Sequence, residues 1–158
     1  MSEHYLLLKV VHVISATILF GTGIGSAFHM WFAHRSGNVA AIACVARHVV
    51  LADFMFTTPA VIVQPVTGVL LALAAGYDLQ SPWLICSYAL FALAGACWLP
   101  VVAIQLRIRN LAADALARNA PLPALYRRLM KIWFLLGWPA FLSLIIVFWL
   151  MIAKPALW

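Results

Sequence analysis

From Leu79 to Leu106, and again from Ile132 to Ala153, no side chain carries a charge. A helix needs about 20 apolar residues to cross the hydrocarbon core of a bilayer, and both runs are long enough. Two further runs come close to the same purity. Tyr5 to Phe32 holds only Lys9, near its start, and His48 to Ala75 holds only Asp53. The runs are continuous rather than alternating polar and apolar, so they do not read as strands of a lipid-facing barrel. The sequence therefore predicts an all-α, integral membrane four-transmembrane-helix bundle with helices at about 5–32, 48–75, 82–106 and 132–153. Composition agrees. With 9% charged residues, against about 25% in a soluble domain, the chain could not cover a water-facing surface. No repeat or linker divides it, and a single transmembrane domain over residues 1–158 is expected.

Lysine and arginine set the orientation. Arg35 and Arg47 flank the first connection, and Arg107, Arg109, Arg118, Arg127, Arg128 and Lys131 the third, against Lys9 and Lys154 at the other end. The positive-inside rule then makes the first and third connections cytoplasmic and both termini periplasmic, in a bacterial inner membrane. The net charge of +6 is thereby accounted for by topology and headgroup contact, and no nucleic-acid partner is implied. Trp31, Trp83, Trp133 and Trp158 fall near the expected span ends, where amphipathic rings settle. The stretch Leu111 to Ala117 favours helix and Pro121 and Pro123 break it, so the third helix is expected to run on beyond the membrane.

Polar groups inside a bilayer are costly and mark candidate sites. At 100° per residue, His12, Ala16, Leu19, Gly23, Ser26 and Met30 share one stripe of the first helix, with Ser15, Thr22 and His29 on its flank. That side is expected to face inward. Gly21 and Gly25 lie opposite, at a spacing suited to close helix packing or a subunit contact in a homo-oligomer. On the second helix Asp53, Thr57, Gln64 and Thr67 form a polar seam, with Pro59 and Pro65 off that line and expected to kink it. His12 is a candidate metal or heme ligand, or a core histidine bonded to Gln64 or Tyr88. His29 and His48 are a candidate second ligand pair near the cytoplasmic side, or interfacial histidines. Cys86 and Cys97 share a face but lie too far apart for a disulfide. No Cys-x-x-Cys or Met-x-x-Met pattern suggests a copper relay.

Several segments carry a resemblance. Leu8-Lys9-Val10-Val11-His12-Val13-Ile14 with Phe20-Gly21-Thr22-Gly23, the block Leu51 to Ala60 with Gln64-Pro65-Val66-Thr67-Gly68, and Gly95 to Pro100 with Gln105 resemble an uncharacterised bacterial integral-membrane family. That family is distantly similar to the copper-resistance protein D membrane domain and to HemJ-type protoporphyrinogen oxidases. The resemblance implies b-type heme on His12. The lysine that HemJ-type enzymes use has no counterpart in the deep segments here, so porphyrinogen oxidation is not carried over.

Two function classes follow. In the first, the chain is a small membrane hemoprotein for electron transfer or quinone-linked oxidoreduction. Heme b then sits among Phe20, Phe91 and Phe141, with His12 as one axial ligand and His29, His48 and Gln64 as further candidate cofactor contacts. His12 and His29 are roughly 25 Å apart by helical rise and cannot clamp one heme. In the second, the chain is a cofactor-free permease, a proton- or ion-handling protein or an accessory subunit, with the seam from Asp53 through Thr57 and Gln64 to His12 as its working face.

Overall fold

Each charge-poor run forms one helix, and the helices run past the runs that announce them. The computed structural model describes residues 3–157; Trp158 lies outside them. Helix α1 spans Glu3–Ser36, and α2 Val39–Ala52 follows after a two-residue turn. Gly37 takes a left-handed φ of +66°, and the Asn38 side-chain oxygen accepts from the Ala41 N–H at 3.1 Å. A glycine that leaves one helix and an asparagine that caps the next need no loop between them. The second helix accordingly starts at Val39 rather than His48.

Asp53–Thr57 is a single π-helical turn that leads without a break into α3, Thr58–Ala74. Its cause is Pro59, which lacks an N–H and whose ring crowds the carbonyl four residues back. The widened turn relieves that crowding, and both the N–H and the hydroxyl of Thr58 donate to the Asp53 carbonyl. Pro65 lies within α3. After a turn closed by Gly76 at φ +74°, α4 covers Pro82–Ala117, so the third helix does continue past Arg107. Helix α5 covers Ala124–Ala153, beginning directly after Pro123 instead of at Ile132.

The second and third spans each have 36 residues, about 54 Å at 1.5 Å per residue. The hydrocarbon core is about 30 Å. The surplus lies at the arginine-bearing end, where all four spans pack tightly. Met30, Ile42, Val49, Ile108, Ala112, Tyr126 and Met130 are buried there in one cluster. Trp133 belongs to the same cluster and is only 6% exposed, so its ring packs inside the protein at that end. Trp83 is buried too, against Ala72, Leu84 and Leu150 at the opposite end. Large apolar side chains such as Leu7, Leu135 and Ile152 are exposed around the outside, as a lipid-facing surface requires.

Helix α4 packs most extensively on α5, and α1 on α3, while α2 joins the two pairs by packing on α4. Helices α1 and α5 approach each other little. Between the tight arginine-bearing end and the Ala72–Trp83–Leu150 cluster, the bundle is left open.

Candidate functional site: a mid-bundle cavity with one carboxyl

The opening is a cavity of about 370 Å³, walled by the middle portions of all four spans. Most of its lining is apolar or aromatic, including Phe20, Phe91, Trp98, Trp133, Trp138 and Phe141. Its polar lining residues are Ser26, Asp53, Thr57 and Gln105. Asp53 is the one ionisable side chain among the described residues that line it.

Asp53 is placed by the π turn. It opens that turn, and Thr57, at its other end, donates its hydroxyl to Asp53 Oδ1 at 2.8 Å. Gln105 and Trp98, both on α4, stand beside the carboxyl. Asp53 is 5% exposed, Thr57 4% and Gln105 6%. No lysine, arginine or histidine lies among the described lining residues, so the carboxyl faces the cavity rather than a basic partner. The buried indole N–H groups of Trp98 and Trp133 have no hydrogen-bond partner among the described residues.

Glycine keeps the cavity wide. A Cβ built on Gly23, Gly95 or Gly137 meets nothing within 4 Å, so these positions border open space instead of a close helix contact. The same holds for Gly21 and Gly25; no other helix of this chain takes up the close approach their spacing suits. The cavity also opens sideways. Ile24 on α1 and Trp138 on α5 line it yet are 48% and 53% exposed, which places a gap between these helices on the lipid side. Rings bridge the two helices at either end of the gap: Phe20 stacks on Phe141 at 4.9 Å, and Trp31 on Phe134 at 4.6 Å.

The second polar group lies further along the seam, between α1 and α3. Thr67 donates its hydroxyl to the Val63 carbonyl at 2.7 Å and lies 2.8 Å from His12 Nδ1. A hydroxyl has one proton to give. With that proton on Val63, Thr67 accepts from Nδ1–H, and Nε2 keeps its lone pair. Gln64 does not reach the imidazole; its amide donates to the His12 backbone carbonyl at 2.8 Å. Gly68 completes the cradle, since a Cβ there would lie 3.3 Å from His12 Cε1.

The expected seam residues Asp53, Thr57, Gln64 and Thr67 are therefore all buried on one line of the span, but they serve two separate clusters. Asp53 and Thr67 are 14 residues apart, about 21 Å by helical rise. The histidines do not converge. His29 and His48 are exposed; His29 packs edge-on against Phe28, and His48 Nδ1 lies 3.9 Å from Cys44 Sγ. Among the described residues no group of three or more His, Cys, Asp or Glu side chains gathers. Phe20, Phe91 and Phe141 do meet at one cavity, as expected for residues around a bound group. No histidine is among the described residues that line that cavity.

Sequence reasoning missed Trp98, Gln105 and Trp133 as site residues. A signal was present for two of them: Trp98 and Gln105 are seven apart on α4, on one face with buried Val101.

The chain matches the family described as a predicted integral membrane protein (DUF2269) over residues 6–155, and it belongs to that family. Comparison with curated proteins and with solved structures finds no match.

Proposed function

We infer that the protein is a cofactor-free, cation-handling membrane protein in which Asp53 binds and releases the cation, a proton in the simplest case. One observation carries this reading: a carboxyl 5% exposed on the wall of an otherwise uncharged cavity halfway along four membrane-spanning helices. An ionisable residue at such a depth is expensive, and sites of this kind serve ion and proton pathways. A cation that enters the cavity finds in Asp53 its one full countercharge, and the Thr57 hydroxyl holds the carboxyl in place. The arginines at the α1–α2 and α4–α5 turns support a bacterial inner membrane location with both termini periplasmic.

The test is proton movement in proteoliposomes. Wild type is expected to carry protons across the vesicle membrane when a pH gradient is imposed, and Asp53→Asn to abolish that flux. Equal fluxes in the two proteins would remove Asp53 from the mechanism.

A second reading, b-type heme or another metal centre on His12, is favoured by the Thr67 contact, which orients the ring and leaves Nε2 as a ligand. The group would lie at the α1–α3 face, away from the Asp53 cavity, and would support electron transfer to a redox partner or quinone. An air-oxidised and dithionite-reduced visible spectrum decides it. A Soret band lost in His12→Ala supports heme; a flat spectrum excludes it.

A further inference from the structure

Resting on the reading of Asp53 as a cation site, we propose that its ligand is an amphiphilic organic cation, such as a substituted ammonium or phosphonium with an aromatic or bulky apolar body, taken up sideways from the bilayer. The geometry selects for this class in three ways.

The first is charge. Asp53 is the one ionisable group among the described lining residues, and the cavity holds no cation of its own to satisfy it. A ligand bearing a single positive charge neutralises the site; an anion is repelled, and a neutral body leaves the carboxyl uncompensated.

The second is the wall. A hydrated metal ion needs several oxygen ligands, and here one carboxyl stands with a threonine and a glutamine among rings. Phe20, Phe91, Trp98, Trp133, Trp138 and Phe141 present aromatic surface instead. Aromatic faces attract organic ammonium groups, most strongly where water is excluded, and they pack against an apolar body. Trp133 contributes its ring to this wall while its buried indole N–H has no hydrogen-bond partner among the described residues.

The third is the route. The gap between α1 and α5, bordered by Gly23 and Ile24 on one side and by Gly137 and Trp138 on the other, faces lipid. A strongly hydrated ion does not travel through acyl chains, whereas an amphiphilic cation partitions into the bilayer and reaches such a gap directly.

The experiment is equilibrium binding to the detergent-purified full chain. The probes are tetraphenylphosphonium, the smaller benzyltrimethylammonium, and tetraphenylborate as a control of similar shape and opposite charge. Wild type is expected to bind at least one of the two cations at one site per chain and to bind tetraphenylborate at least tenfold more weakly. Asp53→Asn is expected to lose cation binding. Gly95→Leu, which fills the cavity from a position where an added Cβ meets nothing within 4 Å, should weaken binding at least tenfold while circular dichroism shows an unchanged helical fold. The proposal is overturned if neither cation binds, if the borate binds equally well, or if Asp53→Asn binds as wild type does. If proteoliposomes carry protons through Asp53 while neither organic cation binds, the ligand class falls and the reading of Asp53 stands. If Asp53→Asn leaves both proton flux and binding intact, both fall.

Discussion

Substituting glycine by alanine should have opposite effects at different positions of this chain, and the sign at each is set by what surrounds it. Gly23, Gly95 and Gly137 lie inside α1, α4 and α5, and an added Cβ at any of them meets nothing within 4 Å. Alanine there removes only the cost of glycine in a helix interior, a gain of roughly 0.5–1 kcal/mol each. The three added methyls meet no common atom, so the gains should add to roughly 1.5–3 kcal/mol in the triple variant. Gly68 is different. Its added Cβ would lie 3.3 Å from His12 Cε1 and 3.9 Å from Nδ1, on a ring already tied to Thr67 at 2.8 Å. The ring must move, and overpacking of this kind costs about 1–3 kcal/mol. Set against the helix gain, Gly68→Ala should be a net loss on the order of 1 kcal/mol. Equilibrium unfolding in mixed micelles, with SDS as the denaturant, measures all four variants on one scale. The reasoning is refuted if Gly68→Ala is stabilised alongside the other three, since that would mean the His12 ring is not confined between α1 and α3.

Three further outcomes follow from individual contacts. Thr67→Val keeps the shape but removes the acceptor for His12 Nδ1–H, and should cost about 1–3 kcal/mol in the same unfolding assay; a neutral result would mean the imidazole finds another partner. At the arginine-bearing end, Tyr126→Phe removes the hydroxyl that lies 3.1 Å from His34 Nδ1 while keeping the ring in the core, and a loss of about 1 kcal/mol is expected. At the other end Lys154 donates to the Tyr77 hydroxyl at 2.6 Å and lies 4.5 Å from the Tyr77 ring centroid, tying the end of α5 to the α3–α4 turn. Lys154→Gln should cost roughly 0.5–1 kcal/mol and speed proteolysis at that turn, without changing cation binding at Asp53.

The four spans were legible because bilayer thickness and charge exclusion act on long stretches of sequence, and Leu79–Leu106 or Ile132–Ala153 permits little else. Their ends were less so. The α1–α2 turn needs only Gly37 and Asn38, whereas a count of apolar residues sees Arg35 and Arg47 and infers a long connection. The line from Asp53 to Thr67 was readable from helical periodicity, and all its polar members are buried. What periodicity does not show is depth across the bundle, and so it could not divide that line into a cavity wall and a histidine clamp. It also placed His29 on an inward flank, although the residue is exposed; the flank of a stripe lies near the lipid boundary, where a small rotation decides the outcome. The cavity was the least legible feature. It arises from the weak approach of α1 to α5 and from glycines that face empty space, and both are tertiary facts.

The most direct measurement is the reaction of the protein in lipid vesicles with dicyclohexylcarbodiimide, an apolar reagent that partitions into bilayers and attacks carboxyl groups. The chain has only four Asp and Glu residues, so peptide mass spectrometry assigns each adduct. If the Asp53 cavity opens to lipid and binds cations, the adduct forms at Asp53 ahead of Glu3, Asp78 and Asp114, and whichever of tetraphenylphosphonium and benzyltrimethylammonium binds slows it. An Asp53 that stays unmodified would contradict the account, and one that reacts at the same rate with both cations present would overturn the ligand class.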